Sequence, residues 1–190
     1  MHTFNYTLNP IEKAQKMGQR PILIWLTGLS ASGKSTLANE LEILFHQQGF
    51  NSVVLDGDSL RSGINKDLGF TENDRTENIR RTAEIAKLFL QTGMIVIAPL
   101  ISPKEVDRAM AKNIVGEDHF FLVHLDTSIE ICEERDPKGL YAKARKNELM
   151  NFTGIHQPYE KPTHADLIFR NHFNINEAAQ AIFNEYKSRL

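Results

Sequence analysis

Residues 22–35 read Ile-Leu-Ile-Trp-Leu-Thr-Gly-Leu-Ser-Ala-Ser-Gly-Lys-Ser, an apolar run followed by a glycine-containing turn. The five apolar residues are typical of a strand that is buried on both faces of a sheet. Gly28 to Ser35 match G-x-x-x-x-G-K-S completely, and Leu37 and Leu41 then follow at helical spacing. The stretch therefore predicts a strand, a phosphate-binding loop and a helix over about residues 34–47.

The chemistry of this loop follows from its backbone. Its glycines allow successive N–H groups to point inward at phosphate oxygens, and the helix that follows adds the positive end of its dipole. Lys34 can reach the β- and γ-phosphates, and the Ser35 hydroxyl can bind Mg²⁺. A glycine-rich turn without a ligand is the alternative. The predicted ATP-binding residues in the loop are Gly28, Leu29, Ser30, Ala31, Ser32, Gly33, Lys34, Ser35 and Thr36.

Strand and helix patterns alternate along the rest of the chain. Short apolar runs predict four more strands, at about 53–55, 94–98, 120–125 and 167–169, and helical spacing predicts helices at about 75–91, 128–135 and 178–186. Such alternation indicates an α/β protein with three α/β/α layers and a predominantly parallel central sheet, the fold of P-loop NTPases. Ligands of such sheets bind beyond the carboxyl ends of the strands.

Composition narrows the class of protein. The chain has 190 residues, 41% of them hydrophobic, and a net charge of −2, which favours one globular domain over residues 1–190 and argues against a dedicated nucleic-acid or membrane binder. The single cysteine, Cys132, excludes an internal disulfide and a multi-cysteine metal site. Residues 1–20 predict an arm or short helix, and their start lacks the pattern of a signal peptide. We expect a cytoplasmic protein.

A GTPase would need further guanine-binding and switch motifs. Asn65-Lys66-Asp67-Leu68 resembles N-K-x-D, but it has Leu68 where the carboxylate should be. Asp136 to Gly139 match D-x-x-G, but they come after the Asn-Lys pair, in the wrong order. We therefore do not favour a GTPase.

Two carboxylates follow the second predicted strand. Asp56 and Asp58 lie one residue apart with Gly57 between them. Both could face the γ-phosphate, where one would orient or deprotonate an acceptor hydroxyl and the other would hold Mg²⁺ or its water. The alternative is a helix N-cap, a position that Asp favours. The sequence alone leaves open which carboxylate is the base.

Basic residues then cluster in two segments. Arg61, Arg75, Arg80 and Arg81 suit bidentate phosphate or sulfate contacts, although a solvated helix face is the alternative. Residues 135–146 hold five basic residues against one acidic residue. This composition predicts a mobile basic lid over about 135–160, with a plain exposed helix as the alternative.

Taken together, nine segments in order resemble the adenosine 5′-phosphosulfate (APS) kinase family, also called adenylylsulfate kinases. They cover nearly the whole chain from about residue 20 to 170. The segments are Trp25–Thr36, Leu55–Asp58, Leu60–Arg61, Asn65–Phe70, Asp74–Arg75, Glu77–Arg81, Ile101–Pro103, Cys132–Tyr141 and Asn151–Ile155.

The resemblance implies transfer of a phosphoryl group from ATP to the ribose 3′-hydroxyl of APS, with Mg²⁺, in sulfate assimilation. It implies a homodimer, and the length predicts a kinase without a fused sulfurylase domain. It places Phe70 and Phe152 on either side of the adenine of APS, where core packing is the alternative. It assigns Arg135 to the ATP base. The substrate-binding residues that it implies are Asp58, Arg61, Phe70, Arg75, Asn78, Ile101, Ser102, Lys138 and Phe152.

The catalytic residues implied are Lys34, Asp56, Asp58 and Ser102, with Ser35 and Asp56 as metal ligands. Ser102 matches a serine that is sometimes assigned a phosphoserine intermediate. A serine nucleophile needs an adjacent base, and none is evident in the sequence, so Ser102 is alternatively a packing or hydrogen-bonding residue.

The chain departs from the family pattern at Ser59, Pro99, Leu100 and Lys104. Rival functions are a kinase for another small hydroxyl compound and a nucleotide-binding subunit without turnover.

Overall fold

The computed structural model describes residues 7–190. Its five strands are β1 (Leu23–Thr27), β2 (Ser52–Val54), β3 (Ile95–Pro99), β4 (Phe120–Asp126) and β5 (Leu167–Arg170). Its eight α-helices are α1 (Pro10–Met17), α2 (Lys34–Gln47), α3 (Gly57–Ser62), α4 (Glu72–Leu90), α5 (Glu105–Val115), α6 (Ile129–Arg135), α7 (Leu140–Arg145) and α8 (Ile175–Ser188).

The strands form one sheet in the order β2-β3-β1-β4-β5, with every pairing parallel. β1 lies at the centre, where Trp25 pairs with Ala98 of β3 and with Leu122 of β4. All five carboxyl ends therefore lie along one edge. The predicted α/β class and parallel sheet are confirmed.

Alternate residues of β1 face two separate cores. Ile24 and Leu26 pack with α2 and α8, whereas Leu23 and Trp25 pack with α4 and α5. Because both faces are covered, β1 is fully buried, as its continuous apolar run predicts. Each fully buried aliphatic side chain of this kind stabilises the fold by roughly 1.5–3 kcal/mol.

The segment predicted as a lid packs through a third apolar cluster. Cys132, Tyr141, Ala144 and Phe152 are buried there, and residues of the phosphate loop such as Leu29 contact them. The segment contains the short helix α7, which buries Tyr141 and Ala144 in this cluster and so is not a plain exposed helix. Its mobility stays a prediction.

The arm predicted over residues 1–20 contains α1, which begins at Pro10 after a capping box made by Asn9 and Glu12. The first six residues lie outside those described. The helix α5 was absent from the sequence prediction, and α3 appeared in it only as the helix that an Asp N-cap would begin. Within residues 7–190, no helix is both long enough and apolar enough to cross a membrane.

Candidate active site

The phosphate loop is shaped by two glycines at its ends. A methyl group on Gly28 would lie 2.7 Å from the carbonyl oxygen of Leu125 on β4, so only glycine allows this close approach of two strands' ends. Gly33 has a φ of +103° and precedes α2 directly. The loop thus lies against the carboxyl edge of the sheet and leads into a helix N-terminus, as its proposed chemistry requires.

Lys34 lies in the first turn of α2 and is buried. Its Nζ donates to the carbonyl oxygens of Gly28 at 2.9 Å and Leu29 at 2.6 Å. Burial lowers the pKa of Lys34 to about 8, against the opposing effect of nearby acidic groups, Asp58 and Asp56 among them. The ammonium group is therefore held inside the loop, and its pKa lies close to neutral pH.

Both carboxylate oxygens of Asp56 accept hydrogen bonds in the structure. Its Oδ1 accepts hydrogen bonds from the backbone N–H groups of Asp58 and Ser59, at 3.0 and 3.2 Å, and so caps α3. Its Oδ2 accepts a hydrogen bond from the Ser35 hydroxyl at 3.3 Å. The N-cap alternative thus applies to Asp56, while its second oxygen faces the phosphate loop.

Asp58 lies in the first turn of α3 and remains exposed. Its Oδ2 forms an ion pair with Nζ of Lys138, from the segment predicted as a lid. The hydrogen bond to Asp58 raises the pKa of Lys138 above its ordinary value. The exposed carboxylate of Asp58 and the lysine of the predicted lid therefore meet where the cavity opens to solvent.

Two arginines follow β2 in the chain. Arg61 donates to the carbonyl oxygen of Gly69 at 2.6 Å, and its guanidinium lies 4.7 Å from the ring centroid of Phe70. Arg75 donates to the carbonyl oxygen of Phe70 at 3.1 Å and also to Thr153. Both guanidinium groups are partly desolvated, which lowers their pKa values.

Arg80 and Arg81 serve the outer face of α4 instead. Both pair with Glu77, at 2.7 and 2.8 Å, and Arg81 also pairs with Asp67. The solvated-face alternative therefore describes these two arginines.

The two predicted adenine-stacking residues differ in environment. The side chain of Phe70 is exposed, whereas Phe152 is buried and its ring packs edge-on against Tyr141, with centroids 4.9 Å apart. Tyr141 in turn donates to the carbonyl oxygen of Ser30 at 3.0 Å. Phe152 is thus packed in the apolar cluster beside the phosphate loop, as the core-packing alternative for this residue predicts.

Ser102 follows β3 and is almost fully buried. Its Oγ accepts a hydrogen bond from Trp25 Nε1 at 2.9 Å and donates to Thr27 Oγ1 at 2.9 Å. Among residues 7–190, no carboxylate or imidazole is hydrogen-bonded to this oxygen.

Asn78 is also buried, and its Oδ1 accepts a hydrogen bond from Asn65 Nδ2 at 3.0 Å. Arg135 reaches the carbonyl oxygen of Ala31 at 3.5 Å, close to the phosphate loop.

Most of the predicted site residues line one open cavity of about 860 Å³ at the carboxyl edge of the sheet. Gly28, Leu29 and Ser32 are not among the residues that line it. The predicted residues along its wall are Ser30, Ala31, Gly33, Lys34, Ser35, Thr36, Asp56, Asp58, Arg61, Phe70, Arg75, Asn78, Ile101, Ser102, Arg135, Lys138 and Phe152.

Several lining residues were not foreseen. Phe173 and Ile175, just before and at the start of α8, line the cavity near Gly33. Thr153 holds Arg75 and lies beside Phe152, within a segment that resembles the family. The residues at α8 carry no motif, so only the folded chain places them at the site.

A magnesium ion in this cavity would find oxygen donors from Ser35 and Asp56. Hydroxyl and carboxylate oxygens suit Mg²⁺, which normally keeps several waters and phosphate oxygens as its other ligands. Within residues 7–190, no group of three or more His, Cys, Asp or Glu side chains is arranged to hold a metal.

The chain is similar in sequence to a known protein family and to named members of it. The family model described as "Adenylylsulphate kinase" matches residues 20–170. An adenylyl-sulfate kinase of Pseudomonas entomophila is 49% identical over 97% of this chain and 89% of its own length. One from Bacteroides thetaiotaomicron is 54% identical over 86% of this chain and 82% of its own.

A solved structure of the Mycobacterium tuberculosis APS kinase CysC, in complex with AMPPNP and APS, superposes with a TM-score of 0.85. Its sequence is 44% identical, and the match covers 89% of this chain and 99% of that one. The resemblance drawn from the nine segments is thus matched by both sequence and architecture. This chain belongs to the adenylylsulphate kinase family.

Proposed function

We propose that this protein transfers the γ-phosphoryl group of ATP to the ribose 3′-hydroxyl of APS, giving 3′-phosphoadenylyl sulfate and ADP. The observation that carries the proposal is the convergence on one cavity of a complete phosphate loop and the acceptor-side residues, in a chain of this family. Such a product would serve sulfate assimilation.

The phosphate loop would bind ATP through its backbone N–H groups. Lys34 would leave the carbonyl oxygens of Gly28 and Leu29 for the β- and γ-phosphates, which offer the ammonium group full negative charges. Arg135 would lie beside the base, supported by its approach to Ala31. Ser35 and Asp56 would hold Mg²⁺, which would supply charge neutralisation to the phosphates.

Asp58 would act as the base toward the acceptor. Its carboxylate would take the proton of the 3′-hydroxyl as that oxygen bonds to the γ-phosphorus, while the bond from the γ-phosphorus to ADP breaks. Asp56 is the more constrained carboxylate, because both of its oxygens accept hydrogen bonds within the fold, whereas Asp58 is paired only through Oδ2, with Lys138. This difference in contacts supports Asp58 as the base and Asp56 as the metal ligand.

The acceptor would be bound by charge and by stacking. Arg61, Arg75 and Asn78 would hold the phosphosulfate and adenylyl groups, with Lys138 joining them from the lid. The exposed ring of Phe70 and the buried ring of Phe152 would enclose the adenine, since aromatic faces stack favourably.

Ser102 fits a hydrogen-bonding role better than a phosphoserine intermediate. Its hydroxyl proton is directed to Thr27 and its oxygen already accepts from Trp25. A nucleophilic serine needs a base beside it to remove that proton. We therefore propose that Ser102 shapes the cavity wall beside Ile101.

An acceptor panel tests the proposed function. We expect ADP release with APS to exceed that with AMP, gluconate or shikimate by orders of magnitude, since only APS offers both adenine and phosphosulfate. Phosphorus NMR of the product should place the new phosphate on the 3′-oxygen. Faster turnover of another hydroxyl compound, or tight ATP binding without turnover of any acceptor, would contradict the proposal.

We also propose that the protein is a cytoplasmic homodimer. The resemblance to the family supports the homodimer. The free, buried Cys132 supports a reducing compartment such as the cytoplasm. Sedimentation velocity should give a mass of about twice the 21.6 kDa of the chain; a monomer at micromolar concentration would contradict it.

A further inference from the structure

Arg108 on α5 is a buried cation that joins two distant backbone segments. Its side chain is 1% exposed. Nη1 donates to the carbonyl oxygen of Ser102 at 2.6 Å, and Nη2 donates to the carbonyl oxygen of Glu160 and to Oε2 of Glu105, both at 2.7 Å. A buried charge is costly unless it is paired, and a well-packed apolar residue often stabilises a core as well or better. The presence of the Arg108 guanidinium here therefore points to a role other than stabilising the fold.

The segment that Arg108 holds is a wall of the cavity. Ile101 and Ser102 both line it. Ser102 has a φ of +38°, in the left-handed region that residues other than glycine rarely adopt. Such a conformation persists only where the surroundings fix it, and it is found preferentially at functional sites.

The two segments that Arg108 joins, at Ser102 and at Glu160, are also linked to each other by backbone and side-chain hydrogen bonds. The N–H of Glu160 donates to the carbonyl oxygen of Pro103 at 2.8 Å, and Oε2 of Glu160 accepts from the N–H of Glu105 at 2.7 Å. Arg108 spans both sides of this junction, so its guanidinium group closes a ring of hydrogen bonds.

A hydroxyl network ties the wall to the central strand β1. Thr27 Oγ1 donates to the carbonyl oxygen of Ile101 at 2.8 Å and accepts from Ser102 at 2.9 Å. Because its proton is used in this way, the hydroxyl of Tyr159, 2.9 Å away, must be the donor in their contact. The ring of Tyr159 lies 5.9 Å from the Arg108 guanidinium.

We propose that Arg108 is a positioning residue for the acceptor: it fixes the Ile101–Pro103 wall of the cavity so that APS is held in line with the γ-phosphate. This inference rests on the proposed function. It predicts that loss of Arg108 changes the KM for APS but not the KM for ATP. The reason is that Arg108 contacts the acceptor wall and none of its hydrogen bonds reaches the phosphate loop.

Two substitutions test this difference between the KM values for APS and ATP. Arg108→Met keeps an unbranched apolar side chain but removes every donor, and we expect the KM for APS to rise at least about tenfold while the KM for ATP stays within about threefold. Arg108→Lys keeps the charge, but its compact ammonium cannot reproduce the planar fork that reaches both carbonyl oxygens, so its effect should be intermediate. If both KM values were unchanged and only the fraction of active protein fell, the positioning role would be wrong.

Arg20 provides a matched control. It too donates to two backbone carbonyl oxygens, those of Arg189 at 2.7 Å and Asp118 at 3.1 Å, but it does not line the cavity. Arg20→Met should leave both KM values unchanged even if it lowers stability. A rise in the KM for APS in this control equal to that in Arg108→Met would also overturn the inference.

A second readout does not depend on turnover. Trp25 is the only tryptophan, so its indole N–H, which donates to Ser102, gives a single NMR signal. We expect this signal to shift and its hydrogen exchange to accelerate in Arg108→Met but not in Arg20→Met. An unchanged indole signal in Arg108→Met would overturn the inference. If the unmodified protein failed to phosphorylate APS, the proposed function would fall, and the indole comparison would still decide whether Arg108 fixes the wall.

Discussion

At the scale of single residues, Lys34 combines a positive charge with burial, and this combination determines how ATP affinity should depend on pH. Burial lowers the pKa of Lys34 to about 8. Phosphates around the ammonium group favour its charged form, so the pKa rises again in the ATP complex. Above about pH 8, ATP binding is therefore accompanied by uptake of a proton by Lys34. We expect the affinity for ATP to be flat below that pH and to fall by up to about tenfold per unit above it.

Titration calorimetry with a non-hydrolysable ATP analogue, in buffers of different ionisation enthalpy, would measure this uptake directly. Lys34→Arg is the control, because a guanidinium stays protonated throughout the range. Its binding should be weaker but flat with pH. Equal pH dependence in the two proteins would mean that another group titrates.

Asp58 is the residue on which the proton transfer depends. Asp58→Asn removes the negative charge but keeps the size of the side chain, and we expect kcat to fall about 10²–10⁴-fold with little change in the KM for ATP. Asp67→Asn is a matched control, since Asp67 is also an exposed carboxylate paired with one cation, Arg81, outside the cavity. Near-full activity of Asp58→Asn would exclude it as the base.

Ser102 allows a complementary test. Ser102→Ala removes the acceptor of the Trp25 indole and the donor to Thr27, so the wall should loosen and the KM for APS should rise. Because the hydroxyl is not expected to become phosphorylated, kcat should stay within about tenfold of the original. Complete loss of turnover, together with phosphate on Ser102 in the unmodified protein by mass spectrometry, would contradict this.

At the scale of elements, α3 shows why a helix N-cap and a metal ligand need not be alternatives. Asp56→Asn preserves a cap acceptor, so we expect its free energy of unfolding to change by less than about 0.5 kcal/mol while activity falls steeply. Asp56→Ala should lose both activity and about 0.5–2 kcal/mol of stability. Urea unfolding and steady-state kinetics measure the two effects separately; an active Asp56→Asn protein would rule out a role for Oδ2.

The elements missed by sequence reasoning are those with broken patterns. α3 has six residues, too few to show a helical period, and it depends on its cap. α5 is longer, but its buried face includes the charged residues Asp107 and Arg108. They interrupt the apolar spacing by which a helix is predicted from sequence. The strands β1, β3 and β4 were predicted well because burial on both faces leaves a continuous apolar run.

At the scale of the whole molecule, the parallel sheet explains why so many site residues could be predicted. All strands end at one edge, so the residues that follow β1, β2 and β3 meet there whatever lies between them in sequence. The contacts of Thr27 with Tyr159 and of Arg108 with Glu160 could not be predicted, since they join residues 132 and 52 positions apart without any local pattern.

The cavity has walls from the sheet edge and from the segment 135–157, and the second wall should respond to ligands. That segment contacts the rest of the chain through a small apolar cluster and a few polar links, among them Lys138 with Asp58 and Arg75 with Thr153. Bound ATP and APS would add negative charge facing its basic residues. We expect hydrogen exchange in 135–157 to slow on ligand binding by more than exchange in the strands, which are already protected.

Exchange measured by mass spectrometry with an ATP analogue, with APS and with both would map this closure. Lys138→Ala should lose much of the protection that APS adds, because its ammonium would face the acceptor, whereas Lys146→Ala, outside the cavity lining, should not. Protection that is equal across the chain, or absent from 135–157, would mean that the segment is a fixed wall. A fixed wall would leave the exchange of substrate and product to the open mouth of the cavity, where Asp58 and Lys138 already lie.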